Sequence, residues 1–112
     1  MTGEDILRKR FGVTPETIAA FCQKWRIREL SLFGSALRDD FRGDSDVDLL
    51  VVYEDPHRDF GPWLRDLSAI EEELKSLFGR DVDLVERSVV ERSENYIRRR
   101  EILSNPVLIY AA

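Results

Sequence analysis

The segment Asp46-Val47-Asp48-Leu49-Leu50-Val51-Val52 constrains this chain more than any other. Its β-branched and nearly unbroken apolar character predicts a buried central strand over residues 47–52. Side chains on a strand alternate between faces, so Asp46 and Asp48 point the same way, roughly 6–7 Å apart. Two acids at the mouth of a buried strand repel each other and lose hydration, a cost that a cation between them removes. Oxygen-only ligands of this kind suit Mg²⁺ or Mn²⁺.

The preceding stretch complements the acid pair. Residues 27–33 read as a strand that delivers Gly34-Ser35, after which Ala36-Leu37-Arg38 starts a short helix. Glycine lets the backbone approach a ligand, serine adds a hydroxyl, and N–H groups at a helix start attract anions. Arg38, one turn further along, is placed to steady a phosphate. An anion-binding turn beside a metal-binding acid pair is a place for a nucleoside triphosphate.

Gly34-Ser35, ten residues, then Asp46-Val47-Asp48 resembles the G-S-x10-D-x-D signature of the DNA-polymerase-β-like nucleotidyltransferases, and in particular the minimal nucleotidyltransferase (MNT) group. Leu32-Phe33-Gly34-Ser35-Ala36-Leu37-Arg38 and Asp44-Ser45-Asp46-Val47-Asp48-Leu49-Leu50-Val51 are similar to that group's two motif blocks. The resemblance spans about residues 14–110. It departs at Asp39, where relatives often carry glycine after the arginine, which bears on phosphate contacts and leaves the acids intact. By alternation alone, either Asp81 or Asp83 can be a third acid. The family's third acid sits in a V-D-L-V context, and the match here is Val82-Asp83-Leu84-Val85, so the resemblance assigns Asp83.

The rest of the chain is read as one domain over residues 1–112, with residues 1–13 as a short N-terminal helical extension. A length of 112 residues allows one ordinary core and no second one. The fold class expected is α/β (α+β): a polymerase-β-like nucleotidyltransferase fold with a small mixed β-sheet flanked by helices. Residues 4–11 form a helical candidate stopped by Gly12. Thr14-Pro15 is a helix start, a capping hydroxyl followed by proline at the first helical position. Ile18, Phe21, Cys22 and Trp25 recur at helical spacing and give that helix an apolar face, on which Cys22 reads as a small core residue. Residues 54–62 read as a loop holding the one histidine, His57. It is a solvated loop residue or a contact near the nucleotide or partner. Pro62 opens a helix with Trp63, Leu67, Ile70, Leu74 and Leu77 on one stripe. Glu71 and Lys75 form an exposed pair, Glu71-Glu72-Glu73 a solvated face, and Gly79 the stop. Residues 81–85 follow as a strand, and the long connection predicts a parallel crossover or an open mixed sheet rather than a hairpin. Ser88 and Glu91 read as a capping box for a helix over residues 89–104. Its Arg98-Arg99-Arg100 offers a grip for a phosphate or a nucleic acid, but on a helix the three fan out over most of a turn, so a solvated or partner-facing surface is the preferred reading. Pro106 ends it, and residues 107–110 form an apolar tail that packs on the core or meets a partner.

Composition narrows the functions. A net charge of −5 argues against sequence-independent binding to a nucleic-acid backbone, so no direct nucleic-acid contact is expected. A single cysteine excludes an internal disulfide and fits a reducing compartment. No stretch approaches the roughly 20 apolar residues of a membrane span and no secretory signal is present, so no membrane contact is expected and cytoplasm is the default location.

The resemblance implies nucleotidyl transfer with ATP as substrate. Asp46, Asp48 and Asp83 would hold two Mg²⁺ ions, about 3.5–4 Å apart in such sites, and Gly34, Ser35 and Arg38 would contact the nucleotide phosphates. Larger relatives carry a further acceptor-binding domain for which 112 residues leave no room. The acceptor is therefore expected to come from elsewhere, either a second copy of the chain or a different protein. Members of the MNT group pair with helical HEPN-type RNase toxins, and some transfer AMP to a toxin tyrosine. An antitoxin that modifies its toxin is the leading expectation. The alternatives are an antitoxin that neutralises its partner by binding alone, and a small-molecule nucleotidyltransferase.

Overall fold

The computed structural model describes residues 3–37, 46–54 and 60–112. Arg38, Asp39 and His57 lie outside the described residues, as do the side chains of Ser35, Ala36 and residues 60–67, which include Trp63 and Leu67. Four strands form one sheet in the order β3-β2-β1-β4: β1 is Ile27–Phe33, β2 Val47–Tyr53, β3 Val82–Glu86 and β4 Val107–Ala111. β2 lies antiparallel to β1 and parallel to β3, and β4 lies antiparallel to β1. The sheet is mixed and flanked by helices, as the sequence predicts. The parallel β2–β3 pair is bridged by the 19-residue α3, Phe60–Phe78, which meets the requirement for a long crossover.

Strand alternation sorts the apolar residues into two layers. Leu30, Leu32, Val47, Leu49 and Val51 project into the main core with Ile18, Phe21 and Cys22 of α2 (Pro15–Lys24) and Ile70, Leu74 and Phe78 of α3. Phe33 and Leu50 project to the other side and meet Val90 of α4 (Arg87–Glu91) and Ile102 of α5 (Tyr96–Ser104). The sheet is thus buried on both faces where β1 and β2 pair, which accounts for the near-continuous apolar run of β2.

Local signals explain most boundaries. Thr14 Oγ1 accepts from Thr17 N at 3.2 Å and Pro15 follows at the first helical position, so α2 starts where the sequence predicts. Gly12 adopts φ 64° and ends an N-terminal helix, α1 (Gly3–Ile6), that continues as a π-helical turn over Leu7–Phe11. Arg26 takes the left-handed conformation, φ 55°, to turn the chain from α2 into β1. Among the described helices, none is long and apolar enough to cross a membrane.

Several expectations are corrected. α3 begins at Phe60, two residues before Pro62. The Glu71–Lys75 pair does not form; Lys75 lies 4.0 Å from Glu72 instead. Glu73 is not merely solvated: it accepts from Lys24 Nζ at 3.1 Å and Trp25 Nε1 at 2.7 Å, tying α3 to the end of α2. The helix expected over residues 89–104 is two helices. α4 starts at Arg87 because β3 runs into it without a loop, so Ser88 sits inside the first turn and donates to Glu86, while Glu91 accepts from Arg87. Asn95 then caps α5, its Oδ1 accepting from Arg98 N at 3.1 Å, and Ser93 Oγ accepts from Asn95 N. Short polar side chains that bond the local backbone compete with a continuous helix at this point. The apolar tail does pack on the core, as one of its two readings expected, and does so as the edge strand β4 paired with β1.

Leu74 is fully buried between α3 and the sheet, so Leu74→Ala is expected to cost about 2–5 kcal/mol of unfolding free energy, read as a lower urea midpoint. Burial raises the Cys22 thiol from 9.0 to about 12. The unfolded chain therefore releases that proton at lower pH than the native one. The stability linked to Cys22 is intact below pH 9.0 and declines as pH rises towards about 12. Reaction of Cys22 with a thiol reagent at pH 8 is expected to follow global unfolding, with native protein essentially inert.

Candidate active site

The register of three strands assembles the site. Phe33 at the end of β1 pairs with Asp48 near the start of β2, and Asp48 pairs with Asp83 near the start of β3. Residues directly opposite one another project to the same face, so the row Phe33–Asp48–Asp83 points towards α4 and α5. Phe33 and the next residue along on each partner strand, Leu50 and Val85, belong to the smaller apolar cluster on that face. The two aspartates occupy its solvent edge: Asp48 is half-buried and Asp83 exposed.

Gly34 closes the site from the β1 side. Its φ is 64°, and a Cβ placed there would lie 2.5 Å from Asp48 Oδ2. The position therefore needs glycine for two reasons: the left-handed backbone, and contact with the carboxylate that no side chain could share. Gly34–Leu37 makes a 3-10 turn. Phe33, Gly34, Asp48 and Asp83 line one cavity of about 500 Å³ together with Arg98, Glu101, Ile102 and Ser104 of α5. A second cleft of about 340 Å³ lies at the opposite sheet end, lined by Arg28, Tyr53, Glu86 and Arg87, and its Arg87 is already paired with Glu91.

The structure brings Gly34, Asp48 and Asp83 together. Asp46 precedes β2, is exposed, and is not among the described residues lining the cavity. Asp81, the other sequence candidate for a third acid, uses its carbonyl to accept from Val47 N at 2.9 Å and also stays outside the cavity. Among the described residues, no three His, Cys, Asp or Glu side chains stand close enough to hold a metal ion. The donor chemistry of the cavity nevertheless fits a hard divalent cation: two carboxylates from adjacent strands, no sulfur or imidazole, and backbone rather than side chain against Asp48. Sequence reasoning ranked a phosphate grip by Arg98-Arg99-Arg100 below a solvated surface and did not connect α5 with the acids. Arg98, Glu101 and Ile102 share one helix face at i, i+3 and i+4, but only the fold of α5 back over the sheet edge brings that face to the acids.

A mixed four-stranded sheet carrying a Gly-Ser turn and paired strand-start carboxylates defines a nucleotidyltransferase domain. The family model for the nucleotidyltransferase domain matches residues 15–106, and the chain belongs to that family. The chain is 39% identical over 82 residues to the protein adenylyltransferase MntA of Thermococcus cleftensis, an alignment covering 73% of this chain and 64% of the relative, so it spans under two thirds of that protein's length. Its fold matches a candidate minimal nucleotidyltransferase with a TM-score of 0.61 at 28% identity, covering 96% of this chain and 95% of the other. It also matches, with a TM-score of 0.51 at 19% identity and coverage of 88% and 70%, a structure of a tri-AMPylated Shewanella oneidensis HEPN toxin in complex with MNT antitoxin.

Gly34→Ala forces a side chain onto the Asp48 carboxylate and strains the backbone. The substitution is expected to cost about 1–2 kcal/mol of stability. It should also displace Asp48, seen as weakened binding of Mg²⁺–ATP in a calorimetric titration.

Proposed function

We propose that this protein is an Mg²⁺-dependent protein adenylyltransferase that acts as an antitoxin, transferring AMP from ATP to a tyrosine of a cognate HEPN-type RNase toxin. The observation that carries the reading is the direct pairing of Asp48 with Asp83 beside the Gly34 turn, in a chain of the nucleotidyltransferase family. The adenylyltransferase name of the Thermococcus relative and the AMPylated toxin held by the Shewanella antitoxin support the donor, the acceptor class and the partner.

In this reading Asp46, Asp48 and Asp83 are the metal-binding residues, and the Gly34 backbone, Ser35 and Arg38 hold the nucleotide phosphates. The chemistry that two divalent ions supply when bound is neutralisation of triphosphate charge and acidification of the acceptor hydroxyl. The tyrosine oxygen attacks the α-phosphorus of ATP, a phosphoester bond forms, and the bond to the β-phosphate breaks. Pyrophosphate leaves with the bonding electron pair, and the tyrosine proton passes to the Asp83 carboxylate. No side chain of this protein becomes covalently modified, so catalysis rests on positioning and charge. The acceptor approaches along the open edge of the cavity, where Asp83 and α5 meet solvent.

A second reading, neutralisation by binding alone, draws on the absence of a three-carboxylate cluster among the described residues. Co-expression with the toxin separates the two. Asp48→Asn or Asp83→Asn is expected to reduce transfer of label from α-phosphate-labelled ATP to the toxin by at least about a hundredfold, and to abolish the added AMP mass on the toxin. Undiminished label transfer refutes the enzyme reading. Full protection of cells by the Asp48→Asn variant favours the binding-only one.

A further inference from the structure

We infer that Arg98 of α5 binds the phosphate chain of the nucleoside triphosphate, supplying the positive charge of the acid cavity from the side opposite the Gly34 turn. The inference deepens the functional reading above and rests on it.

Position comes first. Ile102 is 5% exposed and anchors α5 against Phe33 and Leu50, which fixes which face of the helix meets the sheet. Arg98 lies one turn before Ile102, on that same face, and so projects over the sheet edge where Asp48 and Asp83 stand. It lines the same cavity of about 500 Å³. Arg98 itself is exposed to solvent at the cavity's rim, as a group meeting an incoming ligand must be.

Charge comes second. The described residues lining the cavity include three carboxylates, those of Asp48, Asp83 and Glu101, and one cation, Arg98. An entering triphosphate meets repulsion from the three acids, and Arg98 is the group among them that opposes it. Its guanidinium makes no hydrogen bond or ion pair within the described structure; only its backbone N–H is used, in the Asn95 cap. The neighbouring Arg99 is accounted for, since it donates to Ser93 O and packs over the Tyr96 ring.

Placement in the helix comes third. Arg98 is the third residue of a nine-residue helix whose first turn holds no acid. A cation there lies near the positive pole of the helix dipole, where it is disfavoured. An anion bridging the helix start and the guanidinium reverses that penalty, and a phosphate matches the guanidinium fork in two-point geometry.

The test is calorimetric titration of the full chain with Mg²⁺ and either ATP or AMP. R98A is expected to weaken ATP binding roughly tenfold to a hundredfold while AMP affinity changes less than about twofold, as the loss of a charge-assisted phosphate contact requires. R98Q, which keeps the stem over the cavity, is expected to lose as much, and R98K to lose less. ATP affinity unchanged in R98A, wild-type affinity in R98Q, or an equal loss for AMP overturns the role of Arg98 while leaving the nucleotidyltransferase reading in place. A wild-type chain that binds no ATP overturns both.

Discussion

The structure depends on a single lateral register, Phe33 to Asp48 to Asp83, running across three strands at one end of the sheet. The β-period of two makes it consequential. A slip of one residue in β2 would turn both Leu50 and Asp48 to the opposite face, burying a carboxylate in the main core and exposing apolar side chains. The same alternation that keeps Val47, Leu49 and Val51 inside therefore keeps Asp48 at the cavity. Core and site are specified by one pattern, and neither can drift without the other.

That register also explains why the site carries electrostatic tension. Parallel pairing sets two carboxylates side by side, and the missing side chain at Gly34 leaves the space that the Asp48 carboxylate fills. In an isolated protein this is unfavourable. Under the proposed function it is preorganisation, because the acids need not move when a cation and a polyphosphate arrive. The α5 wall fits the same scheme. Its arginine lines the same cavity as the acids, and its Ile102 anchors the helix that carries it.

Helices on the far side of the sheet contribute rigidity rather than chemistry. α2 and α3 bury Cys22, Ile70 and Leu74 against β1 and β2, and Glu73 fastens α3 to Lys24 and Trp25. On the site's side the covering is thinner: a short α4, a capped break and a short α5 over a small apolar cluster. Val89, Tyr96 and Ile97 stay exposed there.

Much of this was legible in the residues themselves. The period of two in β2, the helical spacing of Ile18, Phe21 and Cys22, the Thr14-Pro15 start and the glycine stops are local signals, and the structure places strands and helices where they point. The Gly34 turn and Asp48 are likewise local signals and meet at the cavity, whereas Asp46, the other half of the D-x-D pair, precedes β2 and does not line it. What required the tertiary structure was every relation between distant segments. Asp83 rather than Asp81 faces Asp48 because of the parallel register, which no local property of β3 encodes. The apolar tail became a paired edge strand because β1 had an open side. Arg98, a surface residue by composition, joined the acids because Ile102 found its burial partners on the sheet. Local periodicity follows from the covalent geometry of the chain, whereas these contacts follow from which apolar faces cover one another, and that is decided only when the whole chain folds.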